Sequence, residues 1–141
     1  MPQIKQNLDG SMGLQGSDQD EGGFVFVNIE YNASSVDKVS FVANRKYIVK
    51  AITARPTVAG TDGSAVSAVI KKAASGTAIT SGTALHSSSI DLKGTANTNQ
   101  SLTLSTTATD LVIAAGTSIG IDFTGALTSA TGVVTVTLAV A

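Results

Sequence analysis

The last stretch of the chain limits its fold more than any other. Across residues 133–140, Val134, Val136, Leu138 and Val140 share one parity, and Thr135 and Thr137 fall on the other. A repeat of two is the repeat of a β-strand, whose successive side chains point to opposite faces. The same alternation returns in Ile119, Ile121 and Phe123 around Gly120 and Asp122, in Ile90 and Leu92 around Asp91, and in Leu102 and Leu104 around Thr103. Val, Ile, Thr and Ser dominate these runs and suit a pleated, half-buried surface. Strands are thus expected near residues 24–31, 39–42, 47–57, 65–72, 88–92, 101–104, 111–114, 118–123 and 133–140. Gly, Asn, Asp and Ser bound them. Thr61-Asp62-Gly63 supplies an Asp-Gly pair for a tight reversal, and Gly116 stands just before the Ile119 run. Short strands at this spacing read as an all-β, antiparallel β-sandwich of about eight strands. One window is open to a second reading. Val66, Val69, Ile70 and Ala73 also fit a helical stripe, with Ser64 as N-cap and Gly76 past the end; residues 65–74 are taken as strand.

Two regions follow from the change in composition at Phe24. Residues 24–141 form the sandwich domain. Residues 1–23 carry five glycines, many polar groups and the acidic cluster Asp18, Asp20 and Glu21. Such a stretch cannot bury enough apolar area to offset its ordering entropy, so a flexible N-terminal arm is expected. Its isolated apolar side chains, Ile4, Leu8, Met12 and Leu14, are the candidate contacts to a partner surface.

Charge narrows the partners. Charged residues make up 13% of the chain and the net charge is −1. Nucleic-acid binding and attachment to an anionic membrane surface both need clustered Lys and Arg, so neither partner is expected. The pairs Arg45-Lys46 and Lys71-Lys72 form no stripe and are read as solvated face or interface rim. No run approaches the ~18 apolar residues of a membrane-spanning helix. Nothing at the N-terminus resembles a secretory signal, so the two glycosylation-type triplets at Asn32 and Asn99 carry no weight.

Reactive chemistry is sparse. His86 is the only histidine and there is no cysteine, so a catalytic triad, an acid–base pair or a zinc site has no second partner. Its Leu85-His86-Ser87-Ser88 setting reads as an exposed or rim position. The acidic cluster lacks the spaced oxygen ligands of a calcium loop. Gly10-Ser11-Met12-Gly13-Leu14-Gln15-Gly16 has no lysine, follows no strand and opens no helix, unlike a phosphate-binding loop. No enzyme activity, cofactor or metal is therefore expected. What remains is a surface built of Ser, Thr, Asn and Ala. Monomeric sandwiches keep charges on faces and edges to prevent association, and interface cores are depleted of charge. The composition points to a surface buried against other subunits or crowded in an assembly.

From Tyr47 onward a family resemblance joins the argument. It rests on Thr61-Asp62-Gly63, Ser75-Gly76-Thr77, Ser81-Gly82-Thr83, Ile90-Asp91-Leu92-Lys93-Gly94-Thr95, Gly116-Thr117-Ser118-Ile119-Gly120-Ile121-Asp122-Phe123 and Gly132-Val133-Val134-Thr135-Val136-Thr137-Leu138. In strand order and Gly-Thr turn texture, roughly two-thirds of the chain (47–141) resembles the jelly-roll head decoration, or cement, proteins of tailed bacteriophages. The resemblance implies a two-sheet jelly roll, usually trimeric, on the capsid exterior of a virion assembled in the host cytoplasm. Its implied partners are the major capsid protein, bound through an arm matching residues 1–23, and further copies of the chain. The family carries no catalytic residues. A tail-fibre or surface adhesin module recognising host glycan is the alternative, since jelly rolls also host lectins.

Overall fold

A computed structural model describes residues 23–141. Ile4, Leu8, Met12 and Leu14, the acidic cluster and Gly10–Gly16 lie outside the described residues.

Among the described residues the chain forms ten strands: β1 (Phe24–Tyr31), β2 (Lys38–Val42), β3 (Tyr47–Val58), β4 (Ser67–Ala73), β5 (Thr83–Ala84), β6 (Ile90–Asp91), β7 (Gln100–Ser101), β8 (Val112–Ile113), β9 (Ser118–Thr124) and β10 (Thr131–Val140). Two antiparallel sheets divide them. The long sheet runs β1-β10-β3-β7, with β8 also on β3; the short sheet runs β2-β9-β4-β5, with β6 also on β4. The pairs are nested. β4 meets β5 and β6, β3 meets β7 and β8, β2 meets β9, and β1 meets β10. One long hairpin is thus wound so that successive turns fall alternately into two sheets, which is jelly-roll connectivity.

The alternation read from the sequence sets the faces. Val134, Val136 and Leu138 of β10 point inward to meet Ile119 and Ile121 of β9, Ile52 and Ala54 of β3, and Ala68 and Ile70 of β4 in one core. Phe41 and Tyr47 close one end edge-to-face at 5.7 Å, and Tyr31 meets Phe123 at 6.1 Å. Gly116, at φ +87°, completes the reversal closed by the Thr117 N–H to Ala114 O bond of 3.0 Å, as a type II turn requires.

Four expectations need correction. Thr61-Asp62-Gly63 is not a hairpin turn, because β3 and β4 belong to different sheets. It lies in the crossover between them, where Asp62 Oδ2 accepts the Ser64 N–H at 3.0 Å and Asp62 O accepts Lys93 Nζ at 2.6 Å. The runs at 88–92, 101–104 and 111–114 shrink to two-residue strands, and β5 is a strand that the pattern did not disclose. His86 is not at the rim; it is 5% exposed. Lys71 and Lys72 are tied down and do not form a solvated face. Lys71 Nζ meets Asp122 Oδ2 at 2.7 Å, and Lys72 Nζ donates to Thr109 O at 2.7 Å and Val112 O at 2.8 Å. The contested window at residues 65–74 is strand, fixed by its pairing with β9 from Ser67 to Ala73. No helix among the described residues is long and apolar enough to cross a membrane.

The two sides of the sandwich differ. On the β7 side, hydrogen bonds cross from sheet to sheet: Ser87 N–H donates to Thr103 O at 2.9 Å and Ser105 N–H to Leu85 O at 3.0 Å, on either side of an isolated bridge between His86 and Leu104. On the other side, among the described residues, β1 pairs only with β10 and β2 only with β9, so both stand at the edges of their sheets.

Candidate functional site

Among the described residues, His86, Lys71 and Lys72 are engaged in holding the fold together. His86 occupies a gap in the ladder of β4, between the stretches paired with β5 and β6. Its Nε2 accepts the Ile70 N–H at 2.9 Å and its Nδ1 donates to Ser88 O at 2.5 Å. The imidazole thus stands in for a missing strand, neutral and with one fixed tautomer. Burial pushes its pKa below 6.5, against the opposing pull of the Ser88 carbonyl. Lys72 points from the β4 inner face across the end of the core. Burial lowers its pKa while the Asp110 carboxylate raises it. Among the described residues no three His, Cys, Asp or Glu side chains are grouped to hold a metal ion.

A recess of about 410 Å³ opens where β1 ends, lined by Glu30, Asn32, Ser35, Lys38, Thr57 and Val133 among others. Several of its polar groups already have partners. Lys38 Nζ donates to Glu30 O at 2.9 Å, Asn32 Oδ1 accepts the Ser34 N–H at 2.8 Å, and Thr57 Oγ1 donates to Thr131 O at 3.1 Å. Its one aromatic neighbour, Tyr31, is 2% exposed and offers no ring face to a ligand.

The outer faces of the sheets are unequal, and the difference locates the candidate site. Residues 77–82 fold over the short sheet, and a 3-10 turn (Ile79–Ser81) buries Ile79 on Gly120. A Cβ at Gly120 would strike Lys38 O and sit 2.8 Å from the Ile79 side chain, so only glycine lets this cover lie flat. Nothing among the described residues covers the long sheet in this way. Its register sorts the outward side chains into rows across β1, β10 and β3. Phe24, Ala139 and Ile48 make the first row, which Val112 of β8 extends. Phe26, Thr137 and Ala51 make the second, and Asn28, Thr135 and Thr53 the third. Glu30, Val133 and Arg55 make the last. A bulge between Thr137 and Leu138 leaves Lys50 and Ala51 both exposed. The face therefore passes from apolar where β1 begins and β10 ends, through hydroxyl and amide groups, to opposite charges at the far end. Phe24 and Phe26 are 60% and 63% exposed. Monomer surfaces rarely show adjacent exposed aromatics on a free-edged sheet, and such patches mark interaction sites.

The sequence predicts a low-charge outer surface of Ser, Thr, Asn and Ala, and β10 carries Thr135, Thr137 and Ala139 outward beside Val133. It does not predict the outward phenylalanines. In Phe24-Val25-Phe26-Val27 both parities are apolar, and only Asn28 and Glu30 further along signal which one faces out. Comparison of the chain with protein-family models, curated proteins and solved structures gave no match.

Proposed function

We propose that this chain is a structural protein of a bacteriophage virion. It is a decoration, or cement, protein that binds the major capsid protein on the outside of the head and bridges neighbouring capsomers. Its arm, residues 1–23, with Ile4, Leu8, Met12 and Leu14, provides the contacts to the shell. The sandwich associates with copies of itself, so each weak arm contact is multiplied by tethering to its neighbours. The protein is assembled in the host cytoplasm and resides on the capsid exterior.

The observation that carries this reading is the connectivity: the wound hairpin is the arrangement that the decoration-protein resemblance implies. Two further features support it. One side of the sandwich is stitched from sheet to sheet, which suits a rigid body that resists shear. Gly23 lies beside the bare apolar rows, where its O accepts the Val140 N–H at 2.6 Å. Purified protein added to undecorated phage heads is expected to bind and to raise the temperature at which they rupture. Heads that neither bind it nor gain stability contradict the reading.

The polar recess at the end of β1 favours a second reading, a glycan-recognising adhesin module. Sugar sites commonly combine polar groups with a few apolar or aromatic faces, and this recess has the first without an exposed ring. A glycan-array signal above background, abolished by Glu30→Ala, would move the assignment there.

A further inference from the structure

The outer face of the long sheet is complementary to itself, and we infer that it pairs with the same face of a second copy about a two-fold axis parallel to β10. The inference goes beyond the shell-binding role and stands without it, since it concerns only copies of this chain.

The argument follows from the order of the rows. β10 is central, with β1 on one side and β3 on the other. Rotation by a half-turn about an axis along β10 keeps every residue in its row and exchanges left with right. Phe24 then lies over Ile48 of the second copy, and Phe26 over its Ala51. In the last row, Glu30 lies over Arg55 of the second copy and Arg55 over its Glu30. Apolar groups thus meet apolar groups and opposite charges meet twice, with Val133, Thr135, Thr137 and Ala139 along the axis. Among the described residues neither Glu30 nor Arg55 has an ion-pair partner within its own chain. Lys50, thrown outward by the bulge, has its charge beside the two rings of the second copy, a favourable cation–π placement. Face-to-face packing of aligned sheets at ~10 Å is an ordinary sandwich geometry. A three-fold arrangement cannot place this face on itself, because self-complementary contact of one patch requires two-fold symmetry.

Three strands at ~4.8 Å spacing and eight residues at ~3.3 Å give a footprint of roughly 400 Å² per copy. That is below the ~800 Å² per partner of a standard stable complex, so the pair dissociates on dilution. The charges add specificity more than affinity.

Sedimentation equilibrium of the full chain over a dilution series tests the pairing. The parent chain is expected to give a mass of two copies that falls toward one on dilution, where the family resemblance implies three. Phe26→Ser should raise Kd by about tenfold or more, as loss of a buried aromatic anchor does. E30R alone sets Arg against Arg, and R55E alone sets Glu against Glu, so each should be monomeric. An equal mixture of E30R and R55E should regain dimers, because every cross-copy pair is then Arg with Glu. All of these residues are solvent-exposed, so the variants keep the core intact. A parent mass of one copy at every concentration overturns the inference, and so does a mass of three. A mixture no more associated than its separate variants also overturns it. A parent monomer whose Phe26 is nonetheless shielded from solvent would assign the face to residues 1–22 instead, and that too is a refutation.

Discussion

Removing the imidazole of His86 should cost the fold about 2–4 kcal/mol at neutral pH, and that cost should shrink as the solution is acidified. His86→Ala leaves the Ile70 N–H and the Ser88 carbonyl without the partners they have at 2.9 and 2.5 Å. Each unsatisfied buried group costs about 1–3 kcal/mol, and the vacated ring adds a cavity. The pH dependence follows from the direction of the shift. Folding holds the ring neutral and lowers its pKa below the 6.5 of the unfolded chain. The unfolded state therefore binds the extra proton first as pH falls through 6.5. Stability from this group is complete above that value and is lost below it at about 1.4 kcal/mol per pH unit, until the folded ring itself protonates. Protonation also turns Nε2 from acceptor to donor, facing the Ile70 N–H. Urea unfolding of the parent and of His86→Ala, from about pH 7.5 to about pH 5, isolates this term, since the carboxylates are common to both. The two stabilities should converge with acidification. A constant separation across that range would refute the reasoning.

Gly120→Ala should destabilise by about 1–3 kcal/mol, because its methyl group must displace the Lys38 carbonyl or the Ile79 side chain; thermal unfolding reads the loss. Tyr31 Oη is buried with no hydrogen-bond partner among the described residues, so Tyr31→Phe should be neutral or stabilising by up to about 1 kcal/mol. Burial also pushes the Tyr31 phenol from 10.0 up to about 12. The unfolded chain ionises first, so the parent should lose stability as pH rises through that interval and Tyr31→Phe should lose less. Lys72→Ala removes two charge-assisted bonds to the carbonyls of Thr109 and Val112. Loss of about 1–2 kcal/mol is expected, with faster amide exchange concentrated in residues 108–113.

The long strands were legible because a buried face imposes its period on the sequence. β10 and β9 carry that period unbroken, and β1 carries it from Val27 onward. The helix-or-strand choice at Val66, Val69 and Ile70 could not be made locally. It was made by β9, whose seven residues from Ser118 to Thr124 pair with β4 in continuous register. The two-residue strands were illegible for a related reason, since a single ladder step has no period to read. Thr83 and Ala84 become a strand only because Lys71 and Lys72 lie alongside. The burial of His86 is illegible because its neighbours Ser87 and Ser88 are polar. What buries it is a ladder gap sixteen residues back, which no local pattern reports. Of the proposed interaction surface, the scarcity of charge was legible and the geometry was not. Phe24, Ile48 and Ala139 are distant in sequence and become one row only through the register of three strands.

Co-sedimentation with undecorated phage heads tests the central claim most directly, comparing the full chain with a variant in which Ile4, Leu8, Met12 and Leu14 are replaced by Ser. The account predicts saturable binding of the full chain to the heads and loss of binding in a variant that unfolds at the same temperature. Failure of the full chain to bind would contradict it, as would a variant that binds equally well.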